Sequence, residues 1–344
     1  MDMSQIDRNR HDRNGHVPNR TERTQTVMKK ILVTATNYSK YCLEGKKILE
    51  DYGCEIVENP HDRPYTPEEL KEVIADIDGV VAGVDTWNQE IFGLAPKLKA
   101  IARFGVGVDN IDLDAAKAHG ITVSNCPGVN TSAVAEQAVG LILSLTRRIP
   151  FLNAAIRRGE WVRPMAHELK SQTVGFLGFG AIARNVAEKL QGFHPAMIAY
   201  DKYPNQEKAD ELGVRLCSLE EVLEQSDIIS IHLPATPETA QLINRETIAR
   251  MKDGVCLINT ARGTIVDEKA LCEALESGKI AGAGTDVFAS EPVLPDNPLF
   301  AFEQYVATPH TSAETYENCA TTSVVTAEAL IAVFEGKEPV NRLV

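Results

Sequence analysis

Short apolar runs alternate with helical patterns along this chain from Ile31 onwards. Residues 31–35, 79–83 and 98–104 are rich in aliphatic side chains, which is typical of strands buried on both faces, and helical segments separate them. Strands that alternate with helices pair in parallel, because the chain must cross over the sheet before the next strand can join it. The pattern therefore predicts an α/β fold.

The chain has 344 residues, which is long for one hydrophobic core and favours two domains. A second series of strands begins at Thr173, and we predict its members at 173–177, 197–200, 227–231, 255–259, 280–285 and 305–307. We predict a doubly wound domain over 126–310. A smaller, discontinuous domain would comprise 29–125 and 311–344, because the last helix, predicted over 312–334, would pack back on the first strands.

Two further segments differ from this alternation. Residues 1–28 are rich in Arg, Asn, Asp and Thr and have little apolar surface to bury, which predicts a disordered tail. Residues 131–149 form the longest helical pattern, and its middle is apolar nearly all round, which predicts burial. This helix would either cross between domains or form a subunit contact, and 151–164 would follow it as a polar connection.

Composition excludes several classes of function. The net charge is −13 and no basic stripe is present, so nucleic-acid binding is not expected. Seven scattered cysteines without a C-x-x-C pair indicate reduced thiols in a cytoplasm, with neither a disulfide framework nor a metal site. No apolar run reaches the roughly 18 residues that a membrane span needs.

A glycine-rich loop follows the strand predicted at 173–177. Gly178 permits a tight turn, Gly180 allows close approach of a pyrophosphate, and the small Ala183 allows close helix–strand packing. The helix that begins there offers N–H groups to phosphate oxygens. An ordinary strand–helix turn without a ligand has the same glycines, so this loop alone leaves both interpretations open.

Asp201 ends the next strand, 23 residues after Gly178. An acid at this position hydrogen-bonds the ribose hydroxyls of NAD and repels the 2′-phosphate of NADP. We therefore predict NAD as the cofactor, although an aspartate at a strand end is otherwise a common turn residue.

Three complementary side chains, Arg262, Glu291 and His310, follow successive strands downstream of this loop. A guanidinium can hold a carboxylate, and an imidazole beside an acid can exchange a proton with a hydroxyl. Taken alone, each residue has an ordinary explanation: Arg262 could form a surface ion pair, Glu291 could be a solvated loop acid, and His310 could be a structural hydrogen-bonding residue. Together, beyond a dinucleotide loop, they predict reversible oxidation of a hydroxy acid. His232 also ends a strand and is a rival base, but we expect it to line the cofactor site.

At this point the chain resembles the D-isomer-specific 2-hydroxyacid dehydrogenases, and most of all their short phosphoglycerate-dehydrogenase-type members. The resemblance runs from about Lys30 to Val344. Besides the Gly178 loop and the Arg262, Glu291 and His310 segments, it is carried by Phe104-Gly105-Val106-Gly107-Val108-Asp109-Asn110-Ile111-Asp112, Asn125-Cys126-Pro127-Gly128 and Val134-Ala135-Glu136.

The resemblance implies roles for these residues. Arg262 would bind the substrate carboxylate and polarise the C2 oxygen, His310 would take the hydroxyl proton, and Glu291 would keep the imidazolium available. The implied NAD contacts are Gly178, Gly180, Ala181, Ile182, Asp201, Leu233, Thr260, Ala261 and Asp286. The implied substrate contacts, besides Arg262, are Val84, Arg103, Val106 and Gly107. It also implies that 126–310 is an NAD-binding Rossmann domain, that the smaller domain is a flavodoxin-like substrate domain, and that the nucleotide domains form a homodimer.

The substrate is less constrained than the reaction. The segment Gly83-Val84-Asp85-Thr86 has an acid where phosphoglycerate dehydrogenases usually have an arginine, so we expect Asp85 to repel a phosphate. Arg103 would supply one positive charge. The leading prediction is a D-3-phosphoglycerate-dehydrogenase-like activity without a C-terminal regulatory domain. The alternatives are a hydroxypyruvate or glyoxylate reductase, another D-2-hydroxyacid dehydrogenase, and a non-catalytic, corepressor-like protein that responds to NAD.

Overall fold

The computed structural model describes residues 28–36, 38–61 and 63–344. Apart from Met28, the predicted disordered tail therefore lies outside the described residues. Within them the strands form two sheets, and every neighbouring pair of strands is parallel. The α/β class and the arrangement in two parallel sheets are confirmed.

The first sheet has five strands in the order β2-β1-β3-β4-β5. Its strands are β1 (Lys29–Val33), β2 (Cys54–Glu58), β3 (Gly79–Ala82), β4 (Ala100–Arg103) and β5 (Thr122–Ser124). The three middle strands β1, β3 and β4 are aliphatic, and helices cover both faces of the sheet. Strand β2 was not predicted, because its sequence Cys-Glu-Ile-Val-Glu, at the edge of the sheet, contains two charged residues and no long apolar run.

The second sheet has seven strands in the order β12-β11-β10-β9-β6-β7-β8. They are β6 (Thr173–Leu177), β7 (Ala196–Tyr200), β8 (Arg215–Leu216), β9 (Ile228–Ile231), β10 (Val255–Asn259), β11 (Ile280–Thr285) and β12 (Tyr305–Ala307). From β6 the chain first builds outward through β7 and β8 and then returns to β9 on the other side. This reversal makes the carboxyl ends of β6 and β9 the place where an open α/β sheet binds ligands.

The helices connect and cover these strands. In chain order they are α1 (Tyr38–Tyr41), α2 (Leu43–Tyr52), α3 (Pro67–Val73), α4 (Gln89–Gly93), α5 (Leu113–Ala118), α6 (Thr131–Thr146), α7 (Ile149–Arg157), α8 (Ala181–Leu190), α9 (Gln206–Leu212), α10 (Leu219–Gln225), α11 (Arg245–Arg250), α12 (Glu268–Ser277) and α13 (Tyr316–Phe334). Side chains cap two of these helices: Asp112 accepts from the Ala115 N–H at the start of α5, and Ser218 and Glu221 form a capping box at the start of α10.

The long helix predicted over 131–149 is shorter than expected. Helix α6 ends at Thr146, and Arg148 adopts a left-handed conformation with φ 54° before α7 begins. Part of the segment predicted as a connection is therefore helical. The predicted burial of its middle is only partly right, because Leu141 and Ile142 are buried, whereas Gly140 is exposed and Val139, Leu143 and Leu145 are half-buried.

The C-terminal helix α13 packs on α2 of the first sheet. The Gly45 N–H donates to Ser323 Oγ at 3.2 Å, and a Cβ on Gly45 would lie 2.3 Å from the Ser323 carbonyl oxygen. The two backbones approach this closely because position 45 has no side chain. The end of the chain thus returns to the first sheet, while the exact boundaries of the two domains stay a prediction.

No single helix in the described part of the chain is long and apolar enough to cross a membrane. Helices α6 and α7 meet the length and composition required only when they are taken together, and they are bent by 60°.

Candidate active site

A cleft of about 700 Å³ separates the carboxyl ends of the two sheets. One wall follows β1, β3 and β4, and the opposite wall follows β9, β10 and β11. Eleven of the predicted site residues line it, namely Val84, Arg103, Val106, Gly107, Ile182, Leu233, Thr260, Ala261, Arg262, Asp286 and His310. The other five predicted residues do not line this volume. The β6–α8 turn bears Gly178, Gly180 and Ala181, the end of β7 bears Asp201, and Glu291 lies behind His310.

The glycine loop has the backbone that a dinucleotide site requires. Gly178 has φ 90°, and a Cβ there would lie 2.7 Å from the His232 carbonyl oxygen, so only glycine fits. Gly180 precedes the first residue of α8, and nothing lies within 4 Å of where its Cβ would be. Ala183 is fully buried against the sheet. The loop therefore leaves open space at a helix N-terminus, where phosphate oxygens bind.

Asp201 lies beside this loop at the end of β7. One carboxylate oxygen accepts from the Phe179 N–H at 2.6 Å, and the other accepts from the Tyr203 N–H at 2.7 Å. The acid is thus fixed next to the glycine turn, as the prediction of a ribose contact requires, and it also ties the two loops together.

His310 and Glu291 form a hydrogen-bonded pair. His310 Nδ1 lies 2.7 Å from Glu291 Oε2, and Glu291 Oε1 accepts from the Phe288 N–H at 2.9 Å. Burial raises the pKa of the Glu291 carboxyl, but the hydrogen bond and charge of His310 outweigh it and hold the pKa below its ordinary value. The acid is therefore ionised at neutral pH and fixes the orientation of the imidazole.

Asp286 builds the turn that carries His310. Its buried carboxylate accepts hydrogen bonds from the N–H groups of Thr311 and Ser312, both at 2.9 Å, and from the hydroxyls of Thr308 and Ser312. Its carbonyl oxygen accepts from the His310 N–H at 2.8 Å, and His310 itself has φ 52°. Asp286 lines the cleft, and most of its hydrogen bonds hold this turn, while its contact with NAD stays a prediction.

Arg262 reaches across the cleft from the loop after β10. The Asn259 side chain accepts from the Ala261 N–H and donates to the Arg262 carbonyl oxygen, which fixes this loop. The guanidinium contacts Asp109, a residue of the opposite wall, with Nη2 3.0 Å from Oδ1. Asp109 belongs to a quoted motif but received no role from the sequence. The sequence feature that could have indicated a role for Asp109 is its position two residues after Gly107, in the loop that follows a strand.

Arg103 is buried, and its guanidinium is directed to the backbone. Nε donates to the Gly107 carbonyl oxygen at 2.9 Å, and Nη1 donates to the carbonyl oxygen of Phe104. Burial and the nearby Arg262 charge lower the pKa of Arg103 to about 10. Arg103 lines the cleft, but its principal contacts stabilise the loop that bears Gly107.

Asp85 does not face the cleft, contrary to expectation. Its side chain is 2% exposed, and Oδ1 accepts from the Tyr65 N–H at 2.6 Å. Burial raises the pKa of this carboxyl above its ordinary value. A strand-end position could not reveal that the side chain turns inward, so Asp85 is not among the residues that line the cleft, and its effect on a substrate phosphate stays a prediction.

His232 lines the cleft, but it is poorly suited to be the base. Burial lowers the pKa of its imidazole to about 4, and Nε2 is hydrogen-bonded to Ser230 Oγ at 2.8 Å. The ring therefore stays neutral near pH 7, and its expected place beside the cofactor stays a prediction.

Two buried polar atoms of the cleft lack a hydrogen-bond partner among the described residues: Thr260 Oγ1 and Asn130 Oδ1. Buried polar groups normally have partners, so such atoms indicate a place for a ligand's polar groups. Together with the open glycine loop they fit a bound NAD. Asn130 was not predicted. Within the described ranges, no group of three or more His, Cys, Asp or Glu residues could hold a metal ion.

A protein-family model described as "D-isomer specific 2-hydroxyacid dehydrogenase, NAD binding domain" matches residues 139–312. A glyoxylate reductase from Thermofilum pendens is 40% identical over 311 residues, which are 86% of this chain and 89% of that protein. These matches decide the family. The chain belongs to the D-isomer-specific 2-hydroxyacid dehydrogenases.

Other members of the family cover different shares of the chain. A D-3-phosphoglycerate dehydrogenase from Mycobacterium tuberculosis is 43% identical over 253 residues, which are 73% of this chain and 48% of that protein. The chain thus spans about half the length of the phosphoglycerate dehydrogenases it matches. The TT0316 protein from Thermus thermophilus has a solved structure with a TM-score of 0.84 and 36% identity, covering 92% of this chain and all of that one.

Membership of the 2-hydroxyacid dehydrogenase family confirms the resemblance and the cofactor predicted from the sequence. The match to the NAD-binding domain model includes β6 to β12, the His232 segment and all three residues predicted as catalytic. The dinucleotide fold and the proposed chemistry therefore lie in the same part of the chain.

Proposed function

We propose that this protein is an NAD-dependent oxidoreductase that interconverts a D-2-hydroxy acid and the corresponding 2-keto acid. The observation that carries the proposal is the His310–Glu291 pair, which lies on the same wall of the cleft as Arg262. A base fixed by an ionised acid, beside a cation and next to a dinucleotide loop, fits proton transfer at a hydroxyl whose neighbouring carbon bears a carboxylate.

The residues have distinct tasks in this reaction. Arg262 binds the substrate carboxylate and polarises the C2 oxygen by its positive charge. His310 accepts the C2 hydroxyl proton during oxidation and returns it during reduction. Because Nδ1 is bonded to Glu291, Nε2 is the ring nitrogen left for the substrate. Glu291 stabilises the imidazolium that forms. Backbone groups of Val106 and Gly107 face the carboxylate from the opposite wall.

NAD would lie along the Gly178 loop. Gly178, Gly180, Ala181 and Ile182 would cradle the pyrophosphate at the N-terminus of α8, and Asp201 would bind the adenosine ribose. Leu233, Thr260, Ala261 and Asp286 would line the nicotinamide end, where the Thr260 hydroxyl has no other partner among the described residues. When bound, the nicotinamide supplies the acceptor for hydride.

For the substrate, we propose a 3-phosphoglycerate-type acid first, since several relatives are D-3-phosphoglycerate dehydrogenases. One observation favours a smaller acid. Arg103 and Arg262 are the lysine or arginine residues among the described lining of the cleft; the Arg103 guanidinium is bonded to backbone carbonyl oxygens, and Arg262 is the residue proposed to bind the substrate carboxylate. A phosphate would find no uncommitted arginine there, whereas hydroxypyruvate or glyoxylate needs none beyond Arg262.

Oxidation of NADH with a panel of keto acids tests the proposal. Phosphohydroxypyruvate, hydroxypyruvate, glyoxylate and pyruvate differ in the group attached to C2, so the ranking of kcat/KM identifies the substrate class. Turnover of at least one of them supports the proposal. Tight NADH binding without turnover of any would contradict it and would favour the corepressor-like alternative.

A homodimer in the cytoplasm completes the proposal. Large apolar side chains are exposed on and after α7, including Ile156, Trp161 and Met165, the last two 83% and 89% exposed. Such a patch marks a protein interface, and α6 beneath it is buried in the nucleotide-binding unit. The odd number of cysteines supports a reducing compartment. A monomeric mass by light scattering at micromolar concentration would contradict the dimer.

A further inference from the structure

Arg262 and Asp109 form an ion pair between the two walls of the cleft. Asp109 lies in the loop after β4 of the first sheet, whereas Arg262 follows β10 of the second. Arg262 Nη2 lies 3.0 Å from Oδ1, and Nε lies 3.2 Å from Oδ1 and 3.3 Å from Oδ2. The pair therefore joins the two units at the mouth of the proposed substrate site.

Some N–H donors of the Arg262 guanidinium have protein acceptors, and the others are left for a substrate. The Nε edge, including one N–H of Nη2, is taken by Asp109, and Nη1 donates to the Ala261 carbonyl oxygen at 2.8 Å. A guanidinium has five N–H donors in a rigid plane. One N–H on each terminal nitrogen is left without an acceptor among the described residues. These two form the fork that binds a carboxylate with parallel hydrogen bonds.

Gly107 makes room for this arrangement. A Cβ at this position would lie 1.8 Å from Arg262 Nη2 and 2.9 Å from Asp109 Oδ1. The guanidinium therefore rests directly on the backbone of Gly107, and Asp109 closes one side of it. The same backbone is the proposed contact for the substrate carboxylate, so carboxylate and cation would meet at one place.

The pair has little to do with stability. The Asp109 side chain is 57% exposed and that of Arg262 is 29% exposed, and ion pairs in such surroundings contribute little to folding. The hydrogen bonds from Nε and Nη2 of Arg262 to Asp109 instead fix the rotation of the guanidinium plane. The buried cation Arg103 lies close enough to repel Arg262, and the Asp109 carboxylate offsets this repulsion.

We propose that Asp109 is a positioning residue that orients Arg262 towards the substrate carboxylate when the cleft is closed. This inference rests on the proposed function and deepens it. Because Asp109 and Arg262 belong to opposite walls, the fork is aligned only when the walls approach as they do here. A carboxylate substrate then meets a preoriented cation and need not pay the entropy of ordering it.

Oxamate, an unreactive mimic of a 2-keto carboxylate, provides a probe that does not depend on turnover. Titration of oxamate into the protein with NADH bound, followed by NADH fluorescence, gives its Kd. We expect Asp109→Asn to weaken oxamate about tenfold, the loss typical of one charged hydrogen-bonding partner, with the Kd for NADH and the Tm unchanged. Asp109→Glu should recover part of this affinity, because it restores the charge. KM for the keto acid should rise more than kcat falls.

The control is Asp114→Asn, which removes an exposed carboxylate from α5 of the same unit. Oxamate affinity that is unchanged or tighter in Asp109→Asn would overturn the proposal, since tighter binding would mean that Asp109 competes with the substrate. Equal losses in the Asn and Glu variants would also overturn it. Wild-type protein that binds oxamate but turns over no keto acid would sink the proposed function alone, whereas failure to bind oxamate would contradict both.

Discussion

Glu291 Oε2 lies 2.7 Å from His310 Nδ1, and the other oxygen of Glu291 is held by the Phe288 N–H. Both carboxylate oxygens are thus committed, so the imidazole can hydrogen-bond Glu291 in one orientation only. The backbone of His310 is fixed independently, by the hydrogen bonds of Asp286. Side chain and turn are therefore set by different acids, and the effects of losing each one can be separated.

Glu291→Gln should lower kcat about tenfold to a hundredfold, with a smaller effect on KM. The amide keeps a hydrogen bond to His310 but loses the negative charge that stabilises the imidazolium in proton transfer. Steady-state kinetics in the reductive direction measure this, with Glu276→Gln, an exposed acid of α12, as the matched control. Equal kcat values for the two variants would show that the charge of Glu291 has no part in the reaction.

Arg262→Lys should act mainly on KM. Lysine keeps the charge but has no planar fork, so it can neither bind a carboxylate with two parallel bonds nor match the Asp109 geometry. We expect KM to rise roughly a hundredfold while kcat changes less. Arg245→Lys, at an exposed arginine paired with Glu273, is the control and should leave both constants unchanged. A KM unaffected by Arg262→Lys would remove this residue from substrate binding.

Asp201→Ser should relax the choice of cofactor. The carboxylate beside the glycine loop repels a 2′-phosphate, and serine removes this charge. We expect the preference for NADH over NADPH, measured as the ratio of kcat/KM, to fall at least about tenfold. The variant also loses hydrogen bonds to Phe179 and Tyr203, so NADH itself should bind less tightly. An unchanged ratio, with Asp210→Ser as control, would place Asp201 outside the ribose site.

Asp85→Asn should change how stability depends on pH. The pKa of Asp85 is raised in the folded protein, so its contribution to stability is fully present below the unfolded pKa, about 3.9, and is lost as pH rises through the folded pKa. Asparagine cannot ionise, and the Tm difference between variant and wild type should grow in favour of the variant from acid to neutral pH. Thermal unfolding across this range measures it. A Tm difference that stays constant across this pH range would contradict the burial argument.

Much of the fold followed from local patterns. The buried strands of both sheets are continuous aliphatic runs, and the caps at Asp112 and Ser218 depend on neighbouring residues only, so the sequence contained the information. The strands β2 and β8 lie at sheet edges, where one side faces solvent and the apolar signal is weak. Helices α3 and α9 are short and mostly polar, and their apolar periodicity was too brief to detect.

The site was predictable as a set of positions but less so as a set of contacts. Strand-end positions placed Arg262 and His310 at the cleft, because the carboxyl ends of parallel strands share one edge. The direction of each side chain depends on tertiary contacts that no local pattern encodes. Asp85 turns inward to the Tyr65 backbone, and Asp109 meets an arginine 153 residues away.

The measurement that tests the account most directly is NADH oxidation by His310→Ala with the keto acid that the wild type turns over fastest. Loss of the proton donor should lower kcat about 10²- to 10⁴-fold, with the Kd for NADH unchanged by fluorescence titration, because His310 belongs to the proton-transfer pair and not to the glycine loop. Wild-type-like turnover by His310→Ala would contradict the account, since no other residue of the described cleft pairs an imidazole with an ionised acid.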